Sequence, residues 1–286
     1  MKTSFLFNQV DVFTNKAFNG NPVAVVLNAD ELTTNEMQKI ANWINLSETT
    51  FVCTPEDKRA DYKLRIFSPK NELPFAGHPT LGSAHAVLHN GLKLKNKNKL
   101  IQESKIGLID ILIEDDKLFF SVPKPSIKFI DKNTIDKIAD ALDIPANSIK
   151  VSRQINIGAV WITLQLASAQ IVNDSVPDMQ KLSFIIPEGV TGVTIFGSTL
   201  NSADTQFEVR SFAPNEGAPE DPVCGSGNGC VAIMVKEYNL TKGRNYVASQ
   251  GSSLARDGKI EIKFIGSEKI LLGGYSTTCI EGQLTF

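Results

Sequence analysis

The sequence predicts an α+β fold built from two similar lobes. Two observations carry this. Strand-like runs dominate the chain and only a few segments keep helical spacing. The order strand, Pro-containing turn, small-residue helix also occurs twice: Arg65-Ile66-Phe67-Ser68-Pro69 is matched by Arg210-Ser211-Phe212-Ala213-Pro214, and Ala76-Gly77-His78-Pro79 by Cys224-Gly225-Ser226-Gly227. The strands are 145 positions apart and the helix starts 148, so the second copy holds about three more residues in its loop. A chain of 286 residues has room for two such lobes, and 42 % hydrophobic residues give each a core.

In chain order, Phe5 to Phe13 and Val23 to Leu27 read as strands around the turn Asn19-Gly20-Asn21-Pro22, where glycine permits a positive φ and proline fixes the exit. Thr33 and Glu36 form a capping box, and Met37, Ile40, Ala41 and Ile44 make one apolar helical face ending near Asn45. Strands are expected at Thr49 to Cys53 and Tyr62 to Phe67. A second helix opens around Pro79 and closes at Asn90-Gly91. Ile109 to Ile113 and Leu118 to Val122 form a hairpin, and Pro123-Lys124-Pro125 reads as a linker. Beyond it, Ile135, Ile138, Ala139 and Leu142 mark a helix. Strands follow near 157–166, 192–196 and 206–212, then a helix from about Gly225 to Tyr238, then strands near 246–249, 260–265 and 268–275. The expected lobes are 1–122 with 277–286, and 127–272.

Composition narrows the function. With 29 Lys+Arg against 31 Asp+Glu the net charge is −2, which gives no footprint for a nucleic-acid backbone or an anionic membrane. The charge-free run Gln154 to Asn173 carries Asn156, Gln165 and Gln170 and alternates Val160, Ile162, Leu164 and Leu166, so it reads as a buried strand and not a membrane span. The four cysteines, Cys53, Cys224, Cys230 and Cys279, are scattered without a CxxC, and no signal peptide is visible. Reduced thiols in a soluble cytoplasmic protein are expected. His85 and His89 stand at i, i+4, but no HExxH or Cys/His cluster accompanies them, so no metal site is expected. Gly225-Ser226-Gly227-Asn228-Gly229 lacks a following Lys-Ser/Thr, and no GxGxxG sits in a βαβ context, so no cofactor is expected.

Chemistry is expected at the two glycine-opened helices. The first N–H groups of such a helix are unpaired and lie at the positive end of its dipole, which makes the N-termini at Gly77 and Gly225 candidate sites for a carboxylate or an enolate-like oxygen. Either glycine alone reads as well as a device for close helix–sheet packing.

Four motifs together resemble the PhzF family of phenazine-biosynthesis-like isomerases: Asn19-Gly20-Asn21-Pro22-Val23-Ala24-Val25, Ser47-Glu48-Thr49-Thr50-Phe51, Glu72-Leu73-Pro74-Phe75-Ala76-Gly77-His78-Pro79-Thr80-Leu81-Gly82, and Glu220-Asp221-Pro222-Val223-Cys224-Gly225-Ser226-Gly227. They occur in the family's order over essentially the whole chain. The resemblance implies a diaminopimelate epimerase-like fold, in which each lobe is a mostly antiparallel barrel-like sheet around a central helix, with the site in the cleft between the lobes. It implies a homodimer and a small carboxylate-bearing, amino-acid-like cyclic substrate. By motif, the proton-shuttling glutamate after a serine falls on Glu48, preceded by Ser47. The histidine and aspartate lining the pocket fall on His78 and Asp221. The substrate carboxylate falls to Gly225 and Ser226, with Gly77 facing them and Cys224 beside them.

Read alone, these residues leave alternatives. Glu48 at a strand mouth is a shuttle candidate if partly buried, or else a solvated strand-end charge. His78 beside a helix N-terminus favours the neutral imidazole, or serves as a polar cap. Asp221 before Pro222 reads equally as an Asx-turn former. The main rival within the fold is an amino-acid epimerase or racemase using one cysteine before each helix-opening glycine. Cys224 holds one such place, but Ala76 holds the other. A non-catalytic small-carboxylate-binding paralogue is the third reading, and the joint presence of Glu48, His78 and Asp221 argues against it.

Overall fold

The computed structural model describes residues 4–199, 204–216 and 218–285. The chain divides into two compact units, 1–121 with 273–286, and 122–272.

The first unit contains β1 (Ser4–Val12), β2 (Asn21–Leu27), α1 (Thr34–Ile44), β3 (Thr49–Cys53), β4 (Tyr62–Phe67), β5 (Glu72–Leu73), α2 (Gly77–His89), β6 (Lys99–Ser104), β7 (Gly107–Glu114) and β8 (Lys117–Ser121). Its last strand, β18 (Ser276–Thr285), returns to pair antiparallel with β1, from Ser4 opposite Thr285 to Val12 opposite Ser276. β1 also pairs antiparallel with β2, β2 runs parallel to β3, and β3 is antiparallel to β4. β4 takes β5 antiparallel and β6 parallel, and β6, β7 and β8 continue as a meander. α2 is apolar or small around nearly its whole circumference, which is why it is buried from His78 through Val87 except at His85. By contrast α1 is one-sided. Thr33 and Glu36 close its capping box, Asn45 ends it in the left-handed region, and Met37, Ile40 and Ala41 pack with Phe5, Val26, Phe51 and Phe67.

The second unit contains β9 (Ser126–Lys128), α3 (Lys132–Ala141), β10 (Ile149–Asn156), β11 (Val160–Leu166), α4 (Ala169–Asp174), α5 (Met179–Ile185), β12 (Gly192–Ser198), β13 (Phe207–Ala213), β14 (Ala218–Asp221), α6 (Gly225–Glu237), β15 (Asn245–Gln250), β16 (Gly258–Ile265) and β17 (Lys269–Gly274), whose last two residues belong to the first unit. β10 is antiparallel to β11, β11 parallel to β12, and β12 antiparallel to β13. β13 then takes β14 antiparallel and β15 parallel, and β15 is antiparallel to β16. This is the strand grammar of the first unit over again. α6 is buried over Gly225 and Gly227–Val235, while α3 and α5 cover a core of Ile138, Leu142, Ile162, Leu164, Leu182 and Ile195.

Two expectations need correction. α2 opens at Gly77, not Pro79, and its N-cap is Ala76. The run Gln154 to Asn173 is not one strand: it ends β10, turns, forms β11, and enters α4, because Ser168 caps a new helix by accepting the Ile171 N–H. β6, β10, α4 and α5 carry no expectation from the sequence reading. Among the described residues, no helix is long and apolar enough to cross a membrane.

Candidate functional site

In the first unit the turn into β2 and the start of α2 assemble one group of residues. Asp11 Oδ2 accepts the Gly20 N–H at 2.9 Å, and a Cβ on Gly20 would lie 2.1 Å from the Val12 carbonyl oxygen, so only glycine fits there. The fixed turn presents Asn21 and Pro22 to His78, the second residue of α2. His78 Nδ1 lies 3.5 Å from Asn21 Nδ2, and the imidazole hydrogen-bonds the Pro22 carbonyl. Burial pushes His78 down to about 3, so the ring is neutral at ordinary pH. Its Nε2 lies 3.3 Å from Glu48 Oε2, with side-chain exposures of 6 % and 17 %. A neutral imidazole makes this a close polar contact and not an ion pair, and the approach lacks hydrogen-bond geometry. Glu48 reaches it because α1 ends at Asn45 and the turn through Ser47 delivers Glu48 to the mouth of β3. Both are partly buried, so Glu48 is not a solvated strand-end charge. Gly77 sits against Phe120, whose Cζ would be 2.8 Å from an added Cβ, and Phe75 packs edge-on to Phe120 at 5.7 Å.

In the second unit the end of β14 and the start of α6 bring Asp221, Cys224, Gly225 and Ser226 together. Asp221 Oδ1 accepts the Val223 N–H at 3.1 Å, which makes it the turn former the sequence allowed. Burial also raises its carboxyl to about 6. The Cys224 Sγ caps α6 by accepting the Gly227 N–H at 3.2 Å and lies 3.6 Å from Ser226 Oγ. Burial first, and the neighbouring Asp221 second, hold the Cys224 thiol well above its ordinary range. It is therefore a protonated thiol, unsuited to serve as a thiolate base.

Two residues here escaped the sequence reading. Buried Gln250 accepts the Cys224 N–H at 3.1 Å and Asn228 Nδ2 at 2.8 Å, and donates to the Asp221 carbonyl at 2.9 Å. It thereby clamps the loop that carries Asp221 to the helix that carries Ser226. In the first unit Gln102 bonds the matching helix, accepting the Tyr62 hydroxyl of β4 at 2.9 Å and donating to Thr80 Oγ1 of α2 at 3.2 Å. Gln102 and Gln250, like Gly77 and Gly225, are 148 positions apart, so the repeat offset was the available signal. The second is Trp161 of β11, whose indole N–H donates to Ser226 Oγ at 2.9 Å.

His85 and His89 stack at 5.9 Å and turn to Thr278 and Glu281 of β18. Among the described residues no cluster of His, Cys, Asp and Glu could hold a metal ion. A cavity of about 320 Å³ in the first unit, lined by Asp30, Cys53, Tyr62 and Asn90, includes none of the sequence-predicted site residues.

The sequence pattern of the phenazine biosynthesis-like protein family matches residues 10–282. The chain is 41 % identical to Antisense-enhancing sequence 1 of Schizosaccharomyces pombe, covering 98 % of this chain and 99 % of that one. It is 30 % identical to the trans-2,3-dihydro-3-hydroxyanthranilate isomerase of Pseudomonas aeruginosa, covering 90 % of each. Among solved structures, a PhzF-family phenazine biosynthesis protein of Bacillus anthracis superposes over 99 % of both chains with a TM-score of 0.84 at 22 % identity, which bears on the fold.

Proposed function

Because the chain belongs to the phenazine biosynthesis-like family, whose curated members include named isomerases, we propose that it moves a proton and a double bond on a small cyclic carboxylate. The compound to try first is trans-2,3-dihydro-3-hydroxyanthranilate, the substrate in the name of the Pseudomonas relative. The observation that carries the reading is the contact of the Glu48 carboxyl with the buried neutral His78.

In this reading Glu48 takes a proton from one carbon, the C–H electron pair enters the conjugated system, and the double bond shifts. Glu48 then returns a proton to a different carbon on the same face. The substrate keeps its oxidation level, so the step needs no hydride acceptor. His78, a buried neutral ring lying against the Glu48 carboxyl, holds it in place through both halves of the transfer. Gln250 engages the Cys224 N–H and the Cys224 thiol engages the Gly227 N–H, which leaves the reading to assign the substrate carboxylate to Gly225 and Ser226. In this reading Asp221 supplies a polar contact for a ring substituent. Epimerisation by paired thiolates is disfavoured by Ala76 and by the protonated state of Cys224.

The test compares Glu48→Gln with Cys224→Ser on that compound, following turnover and the incorporation of carbon-bound deuterium from D₂O. Loss of the shuttle should lower kcat by about 10²–10⁴-fold. Loss of the thiol should cost less than about tenfold, since serine retains a capping oxygen. Abolition by Cys224→Ser with Glu48→Gln nearly intact would reverse the assignment.

A further inference from the structure

We propose that Trp161 is a positioning residue that fixes the Ser226 hydroxyl as a donor toward an acceptor oxygen of the substrate, an inference that rests on the carboxylate being held at Gly225 and Ser226. The indole N–H can only donate, whereas a serine hydroxyl has one proton and two lone pairs. With Trp161 Nε1 2.9 Å from Ser226 Oγ, the hydroxyl is committed as acceptor on that side and its own proton must point elsewhere. The nearby alternative is Cys224 Sγ at 3.6 Å, a weak acceptor already receiving the Gly227 N–H. Ser226 is half-buried, so its proton is within reach of an arriving ligand, while Trp161 is 2 % exposed and held in place by β11. A hydroxyl that accepts one hydrogen bond is polarised to donate the next. A carboxylate, which only accepts, therefore replaces a poor sulfur acceptor with a strong charged one.

The test removes the indole N–H while keeping the ring. Trp161→Phe does this approximately, and β-(3-benzothienyl)alanine at position 161 does it with the bicyclic shape preserved, which guards against a variant that fails to fold. KM and kcat are measured with trans-2,3-dihydro-3-hydroxyanthranilate, and Kd by calorimetry with 3-hydroxyanthranilate, its aromatic and unreactive counterpart. Both replacements should raise KM and Kd by about tenfold with kcat changed by less than about twofold. In a Ser226→Ala background they should add less than about twofold, because the two residues act as one unit. An unchanged KM in the benzothienyl protein, or full additivity with Ser226→Ala, overturns the proposal, as does a fall in kcat and stability with no change in KM. Should the unsubstituted protein neither turn over the first compound nor bind the second, the carboxylate reading fails separately. The hydroxyl is then read in the free protein, where the indole ¹H–¹⁵N signal of Trp161, assigned with Trp43→Phe, should move upfield in Ser226→Ala. An unmoved signal overturns the proposal.

Discussion

Asp221 carries a carboxyl that burial lifts from its ordinary 3.8 to about 6. Between those values the folded protein holds a proton that the unfolded chain has released, so this group's contribution to stability falls as pH rises through the window. It loses at most about 3 kcal/mol by neutral pH. Asp221→Asn keeps an oxygen for the Val223 N–H and removes the charge. It should raise the urea midpoint at pH 7.5 and leave it nearly unchanged below pH 4, while lowering turnover; a lower midpoint at pH 7.5 would mean that the carboxylate supports the loop. Glu48, His78 and Asp221 stand out in the sequence as candidates because each sits in a motif. Trp161 and Gln250 do not. A tryptophan in an apolar strand reads as core, and only the packing of β11 on α6 shows that its N–H meets a hydroxyl 65 positions later.

At the scale of elements, each unit closes the strand after its repeated arginine with the same fork. Arg65 holds both oxygens of Glu72 at 2.8 and 3.0 Å, and Arg210 holds both of Glu220 at 2.8 and 2.9 Å. The three extra residues of the second loop are accommodated without loss of the pair. The surroundings differ, however: the side chains of the first pair are 22 % and 21 % exposed, those of the second 5 % and 10 %. Arg210 also donates to the carbonyls of Val172 and Ser175. Arg210→Met should therefore cost about 3–5 kcal/mol by leaving Glu220 buried alone, against about 1 kcal/mol or less for Arg65→Met. Equal losses in chemical denaturation would remove burial as the cause. α1 was readable to the residue because its cap and apolar stripe agree. α4 and α5 were not, since six and seven residues give fewer than two turns of periodicity. β10 was missed because it is half-buried along most of its length and shows no alternation.

For the whole molecule, the duplication was legible as two short matches at nearly one offset, and the repeated strand grammar extends it to the sheets. What the offset could not convey is which strand completes each copy: β10 takes β9 antiparallel from shortly before it in the chain, whereas β1 takes β18 from beyond the second unit. Acid sensitivity also belongs to this scale. Burial holds His78 at about 3 and His85 at about 4, so the folded protein refuses protons that the unfolded chain takes up below 6.5. Both histidines lose stability as pH falls through that window, against the opposite trend of Asp221. His85→Gln, outside the proposed site, should flatten the decline in Tm between pH 6.5 and 4 by removing at most about 3 kcal/mol of it. An unaltered slope would place the acid sensitivity elsewhere. The pairing of β1 with β18 also sets an order in time. During synthesis β1 emerges first and β18 last, so β1 waits for its neighbour while some 260 residues are added, roughly ten to fifty seconds at ordinary ribosome speeds. All of 122–272 is polymerised before the final strand, so the inner unit can finish folding while the outer one still has an open edge. The newborn chain is thus most prone to mispairing along β1.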